Sequence, residues 1–356
     1  MLTIQEATHM QKSYRSVLRY ALYAAALCQV LVIIGGCAPK VIETIQVEKG
    51  TQMQFFPQTD LESRSTDYVV LFLKGDETYD SLAQKYLGDR SLGYLIAEFN
   101  NQAQLKPGKD VVIPVSASNP GGIYSDGYQT IPVLCYHRFS PKRSSDKITV
   151  SEETFDKQMA YLKNNGYNVI TLKQLNEFIE FRRRPPNKSV LITIDDAIKA
   201  VKTIAYPILK KYAFTAVIFV NTDNTKIKEN SVFLNWDELK ELKNSGVFEI
   251  ESHTASHSDL TTMNDEQLQR ELGDSKRILA EKLSVNSRFV AYPYGLFNSK
   301  VLDVMKKYDY KLGFTVIRGA NGAFNHPYAL NRSMIYNSEK IEDFAKTLST
   351  YQREKQ

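Results

Sequence analysis

The sequence predicts an α/β protein: repeated strand–helix units forming a parallel sheet or a (β/α) barrel, preceded by a small βααβ unit. Three observations carry this. From Ile131 onward, apolar runs alternate with helical patterns over roughly 220 residues. Between Tyr68 and Pro114, a strand–helix–helix–strand pattern occupies roughly fifty residues. The 356-residue chain is 43% hydrophobic and 24% charged, an ordinary globular composition. A collagen-like, disordered or polytopic membrane chain is thereby excluded.

The first 36 residues carry Lys12, Arg15 and Arg19 against Glu6, a net of +2 out of the chain's +5. The nearly neutral remainder offers no electrostatic reason to expect nucleic acid as a partner. Arg182-Arg183-Arg184 before Pro185-Pro186 reads as a solvated loop. The basic residues lead into an apolar stretch, Val17 to Ile34, that ends in Gly35-Gly36-Cys37. A basic region, an apolar region and small residues before a cut describe an export signal. A single membrane anchor is the alternative, but Arg19 interrupts its uncharged part and an anchor has no need of the Gly-Gly-Cys ending. The segment resembles a bacterial lipoprotein signal, which implies removal of residues 1–36 and lipid attachment at Cys37. Residues 38–66 are polar and aperiodic, so 37–66 is expected to be a tether.

In the small unit, a strand from Tyr68 ends at the turn signal Gly75-Asp76, and Thr78 caps a helix with Leu82, Ala83 and Tyr86 on one face. Leu95, Ile96 and Phe99 form a second apolar face, and Lys106-Pro107-Gly108 turns into the strand Val111–Pro114. Through Lys74-Gly75-Asp76, Tyr86-Leu87-Gly88-Asp89 and Ile96-Ala97-Glu98-Phe99-Asn100, residues 67–115 resemble the LysM module. That implies binding of N-acetylglucosamine polymers. Residues 116–130 read as a Gly/Pro/Asp linker.

In the large unit, 131–350, strands are expected at Ile131–Tyr136, Asn168–Thr171, Val190–Ile194, Ala216–Asn221, Phe248–Ser252, Arg288–Tyr292 and Lys311–Val316. Helices are expected at 152–165, 199–212, 236–244, 265–284 and 299–307. Barrel chemistry gathers at the C-terminal ends of strands. Three ends carry it here: Asp195-Asp196, His253-Thr254-Ala255-Ser256-His257 and Tyr136-His137. Paired carboxylates need a cation nearby. Two histidines four apart with one carboxylate can bind an ion and leave a position open for water. Of the four histidines after residue 36, three lie at these ends, and His326 reads as a loop residue. Cys135 reads as strand core.

Together, Thr193-Ile194-Asp195-Asp196-Ala197, His253 to His257, Ala291-Tyr292-Pro293-Tyr294-Gly295 and Asn235-Trp236-Asp237 resemble the motifs of the polysaccharide deacetylase family (NodB homology). The resemblance implies a distorted (β/α)7-type barrel. It also implies metal-dependent de-N-acetylation of N-acetylglucosamine in a cell-envelope polysaccharide, peptidoglycan or poly-N-acetylglucosamine. Asp196, His253 and His257 would hold a divalent ion, Zn²⁺ most simply. Asp195 would be the base, and the Tyr294 backbone N–H an oxyanion donor. The sequence departs from the pattern three times. Ala197 replaces a glycine, so the loop after Asp196 is expected to avoid positive φ. Ala291 replaces an arginine that usually orients the base, which is then expected to be held differently. Leu330-Asn331-Arg332 stands where many members have an acid histidine. A subgroup acting on poly-N-acetylglucosamine has a Tyr-His after its first strand, so His137 is expected to be the acid, ahead of His326. Tyr292 and Trp236 are open between sugar contact and packing. A glycan-binding protein without turnover and an O-acetyl esterase are the competing functions. The expected location is lipid-anchored in the bacterial cell envelope, outer membrane or periplasm.

Overall fold

The computed structural model describes residues 62–64, 68–115, 119–124, 127–223 and 232–353. The expected signal and Cys37 lie outside the described residues. Among the described residues no helix is long and apolar enough to cross a membrane. Backbone contacts divide the chain into two compact units, with a boundary between Ser118 and Asn119.

In the small unit, β1 (Glu62–Arg64) pairs antiparallel with β2 (Tyr68–Phe72), and β2 with β3 (Asp110–Pro114). Between β2 and β3 lie α1 (Tyr79–Leu87) and α2 (Gly93–Phe99). Thr78 and Ser81 form a reciprocal capping box on α1, and Gly88 ends it in the left-handed conformation. The Asn100 side chain donates to the carbonyls of Ile96 and Val112 and accepts from the Val112 N–H, tying the end of α2 to β3. Val69, Leu82, Ala83, Ile96, Val111 and Ile113 form the core. The βααβ order is as expected. The strand at Glu62–Arg64 falls inside the stretch read as tether, because backbone pairing to β2 needs no apolar pattern.

The large unit opens with β4 (Ile123–Tyr124), β5 (Gly127–Gln129), β6 (Ile131–Tyr136), β7 (Arg138–Ser140) and β8 (Thr149–Ser151). Then come α3 (Glu152–Asn164), β9 (Asn168–Val169), α4 (Leu172–Ile179), β10 (Ser189–Ile194), α5 (Tyr206–Tyr212), β11 (Ala216–Val220), α6 (Trp236–Asn244) and β12 (Phe248–Ser252). The remainder is α7 (Asp265–Leu268), α8 (Ser275–Leu283), β13 (Phe289–Ala291), α9 (Ser299–Lys307), β14 (Leu312–Phe314), β15 (Ala320–Asn321), β16 (Ser333–Met334), α10 (Ile341–Thr347) and β17 (Tyr351–Arg353). The linker reading of 116–130 is corrected here: β4 and β5 pair with each other, and β5 with β17. Gly127 sits where a Cβ would collide with the Gln352 carbonyl, so the glycine that reads as linker is a close-approach residue.

Six strands run parallel in the order β14-β13-β12-β11-β10-β6. The sheet is curled, and one segment reaches both of its ends. Leu330 exchanges hydrogen bonds with β14, through its own N–H to Gly313 O and from Thr315 N–H, while Ser333 and Met334 pair with β6. This closing segment was not among the expected strands, because Asn331-Arg332 breaks any apolar run.

Side chains alternate between two faces along each strand. On β6, Leu134 and Tyr136 face the helices in one apolar cluster, whereas Ile131 and Val133 face inward with Leu191, Val217, Phe219, Ala291, Leu312 and Phe314. Extending the inward parity past the apolar residues gives Cys135 and His137, Asp195, and His253. The alternation that builds the core therefore aims these four into one space.

Candidate active site

Asp195 directly follows β10 with its side chain buried, and Arg332, fully buried, grips it. Arg332 Nη1 donates to Oδ1 at 2.7 Å and Nη2 to Oδ2 at 2.8 Å, while Nε donates to the Thr315 carbonyl at 2.9 Å. The guanidinium also stacks over Phe219, 5.6 Å from the ring centre. Burial is the largest single influence on Asp195 and opposes its ionisation, but Arg332, His253 and His137 together outweigh it, so the carboxyl is held well below the usual carboxylate range. The first aspartate is indeed held from another position. The strand carrying Ala291 lacks the arginine, and the closing segment supplies one.

Three further groups surround Oδ2 of Asp195: His137 Nε2 at 3.8 Å, His253 Nε2 at 3.8 Å and Cys135 Sγ at 3.6 Å. Cys135 is core by burial, as expected, yet its sulfur belongs to the site. Burial pushes its thiol up, while Arg332 pulls the other way.

Asp196 faces a different set. Its Oδ1 lies 3.8 Å from His257 Nε2 and 3.9 Å from His253 Nε2, and one ligand atom from each of the three residues falls within 4.8 Å of the others. His253 Nδ1 lies 2.7 Å from the Ala291 carbonyl. A carbonyl can only accept, so Nδ1 carries the proton and the Nε2 lone pair faces Asp196. Burial also lowers the pKa of His253, against the raising effect of Asp195 and Asp196, which favours neutral imidazole. Two imidazole nitrogens and one carboxylate oxygen, with a fixed tautomer, fit a divalent ion such as Zn²⁺.

The backbone is strained around these groups. Asp196, Ala197, Thr254, His257 and Tyr294 all have positive φ, at 72°, 52°, 66°, 61° and 59°. Ala197 therefore adopts the conformation it was expected to avoid, at a cost of about 1–2 kcal/mol. The 254–257 turn is braced by Glu271, which accepts from the Ala255 N–H at 3.0 Å, the Ser256 N–H at 2.8 Å and the Ser256 hydroxyl at 2.7 Å. Glu271 comes from a widened helical turn, Gln269–Asp274, and has no signal in the sequence.

Tyr294 is 60% exposed, and its ring meets His257 edge-on at 4.9 Å. Tyr292 is fully buried, donates to the Tyr328 carbonyl at 3.0 Å and stacks on Phe297, so its role is packing. Trp236 packs against the core at the start of α6, where Asn235 and Glu238 form a capping box. His326 accepts from the Tyr328 N–H, and burial, then Lys306, lowers its pKa; it is not among the groups around Asp195. Of Arg182–Arg184, two pair with Glu180 and Glu177 and the third donates to Asn187, as fits a solvated loop.

The family model for polysaccharide deacetylase matches residues 182–313. The chain is 33% identical over 202 residues to YxkH of Bacillus subtilis (strain 168), covering 57% of this chain and 70% of that one. It is 31% identical over 209 residues to the poly-beta-1,6-N-acetyl-D-glucosamine N-deacetylase of Staphylococcus aureus (strain MRSA252), covering 55% and 71%. The solved structure of Streptococcus pyogenes deacetylase PplD in complex with acetate superposes with a TM-score of 0.58 at 30% identity, covering 62% of this chain and 98% of that one. The chain belongs to the polysaccharide deacetylase family, enzymes acting on N-acetyl amide bonds.

Proposed function

We propose that this enzyme removes acetyl groups from N-acetylglucosamine residues of a cell-envelope polysaccharide, with poly-N-acetylglucosamine favoured over peptidoglycan, in a metal-dependent reaction. The carrying observation is that neighbouring carboxylates stand in different surroundings. Asp195 is clamped by Arg332 with His137 at 3.8 Å, while Asp196 stands with His253 and His257. The acid histidine from the first strand and the likeness to the staphylococcal enzyme favour the poly-N-acetylglucosamine substrate.

Asp196, His253 and His257 would hold the ion. When bound, a divalent ion polarises the acetyl carbonyl and acidifies water, which offsets the low basicity that Arg332 imposes on Asp195. Asp195 accepts the water proton at Oδ2, the oxygen nearest both histidines. The Tyr294 backbone N–H donates to the acetyl oxygen as negative charge builds there. His137 passes a proton from Nε2 to the amide nitrogen, because an unprotonated amine anion leaves poorly. The products are acetate and a free amine on the polymer.

The remaining parts of the reading concern placement. Cys37 carries a lipid that anchors the chain in the envelope, and the small unit is a LysM module that retains the enzyme on glycan. Acetate release from poly-N-acetylglucosamine, peptidoglycan and O-acetylated glycan tests the substrate. Release from the first is expected, and is abolished by Asp196→Ala. Release from O-acetyl esters alone would refute the reading.

A further inference from the structure

Cys135, His137 and Asp195 each offer one ligand atom within 4.8 Å of the others. Cys135 Sγ lies 3.6 Å from Asp195 Oδ2 and 3.9 Å from His137 Nδ1. The two carriers are adjacent parallel strands, with Cys135 in register beside Thr193. Thiolate, imidazole and carboxylate together select zinc, cobalt or cadmium over magnesium or calcium.

We propose that these three side chains form a second cation site beside the first, which soft divalent ions fill when in excess and which silences the enzyme by occupying its acid and its base. The inhibitory consequence rests on the roles given above to His137 and Asp195; the binding does not. On binding, a metal–sulfur bond replaces the S–H bond and the proton leaves to solvent, with no change of oxidation state. Oδ2 of Asp195 accepts from Arg332 with one lone pair and has a second to give. Of the three side chains His137 is the most open to solvent, at 15% exposed against 2% for Asp195, while Cys135 is fully buried. Two repulsions make this site the weaker one. Arg332 sits on the Asp195 carboxylate, and a cation at Asp196 would stand close by, since the same His253 Nε2 lies 3.8 Å from Asp195 and 3.9 Å from Asp196. Filling is therefore sequential, with the first ion active and the second inhibitory.

The test uses the full chain with Cys28→Ala and Cys37→Ala, so that Cys135 is its one thiol. The protein is stripped with chelator and titrated with Co²⁺. Two equivalents are expected, the second bringing thiolate-to-cobalt charge-transfer absorption. Adding Cys135→Ala, or Cys135→Ser to preserve volume, is expected to leave one equivalent and no such absorption. In the activity arm, the zinc concentration that halves acetate release, relative to one equivalent, is expected to rise at least about tenfold in either variant. Excess Mg²⁺ is expected not to inhibit. One cobalt equivalent before the substitution, absorption that survives it, or unchanged zinc inhibition would overturn the proposal. The cobalt arm needs no turnover, so it distinguishes failure of this site from failure of the deacetylase reading.

Discussion

Arg332 is a fully buried cation whose two terminal nitrogens both go to one carboxylate. A planar fork fits a carboxylate in a way that an ammonium does not. Arg332→Lys is therefore expected to keep the metal but lower kcat about a hundredfold, the usual effect of misplacing a catalytic group; metal analysis beside steady-state kinetics checks this. Arg332→Met leaves Asp195 buried without its guanidinium partner, and should destabilise the fold by about 3–5 kcal/mol in denaturant unfolding. Asp195, Asp196, His253 and His257 were legible because they end apolar strands. Arg332 was not. An arginine beside asparagine reads as surface, and its burial depends on a carboxylate 137 positions earlier in the chain. Cys135 was legible as core, but its nearness to Asp195 follows from strand register that sequence alone does not specify.

At the scale of elements, the long apolar strands were read nearly to the residue: Ile131–Tyr136 and Phe248–Ser252 are observed as expected. The expected helix 265–284 is instead two α-helical stretches joined by the widened turn Gln269–Asp274. That turn delivers Glu271 to the backbone between the two histidines. Glu271→Ala should weaken metal binding about 10–100-fold, as loss of a ligand's support commonly does, and chelator competition measures it. The short strands β4, β5, β15, β16 and β17 escaped the sequence reading because each is held by its neighbour's backbone rather than by its own apolar side chains.

For the whole molecule, stability should depend on one buried carboxyl of the curled sheet. Glu251 is buried and accepts from the Ser287 hydroxyl and the N–H groups of Arg288 and Phe289. Burial, against those hydrogen bonds, pushes its pKa from 4.5 up to about 8. The folded state thus binds more protons than the unfolded one between those values, so stability falls as pH rises through that window. Glu251→Gln should flatten the dependence of melting temperature on pH from about 5 to about 9. Measuring in chelator keeps proton release by metal ligands out of the comparison.

The central claim is that adjacent aspartates divide the work, Asp196 for the ion and Asp195 for the proton. The most direct test is metal content and acetate release measured on one preparation of Asp195→Asn. The account predicts that metal is retained and that acetate release from poly-N-acetylglucosamine is lost. Full acetate release by this variant would contradict it.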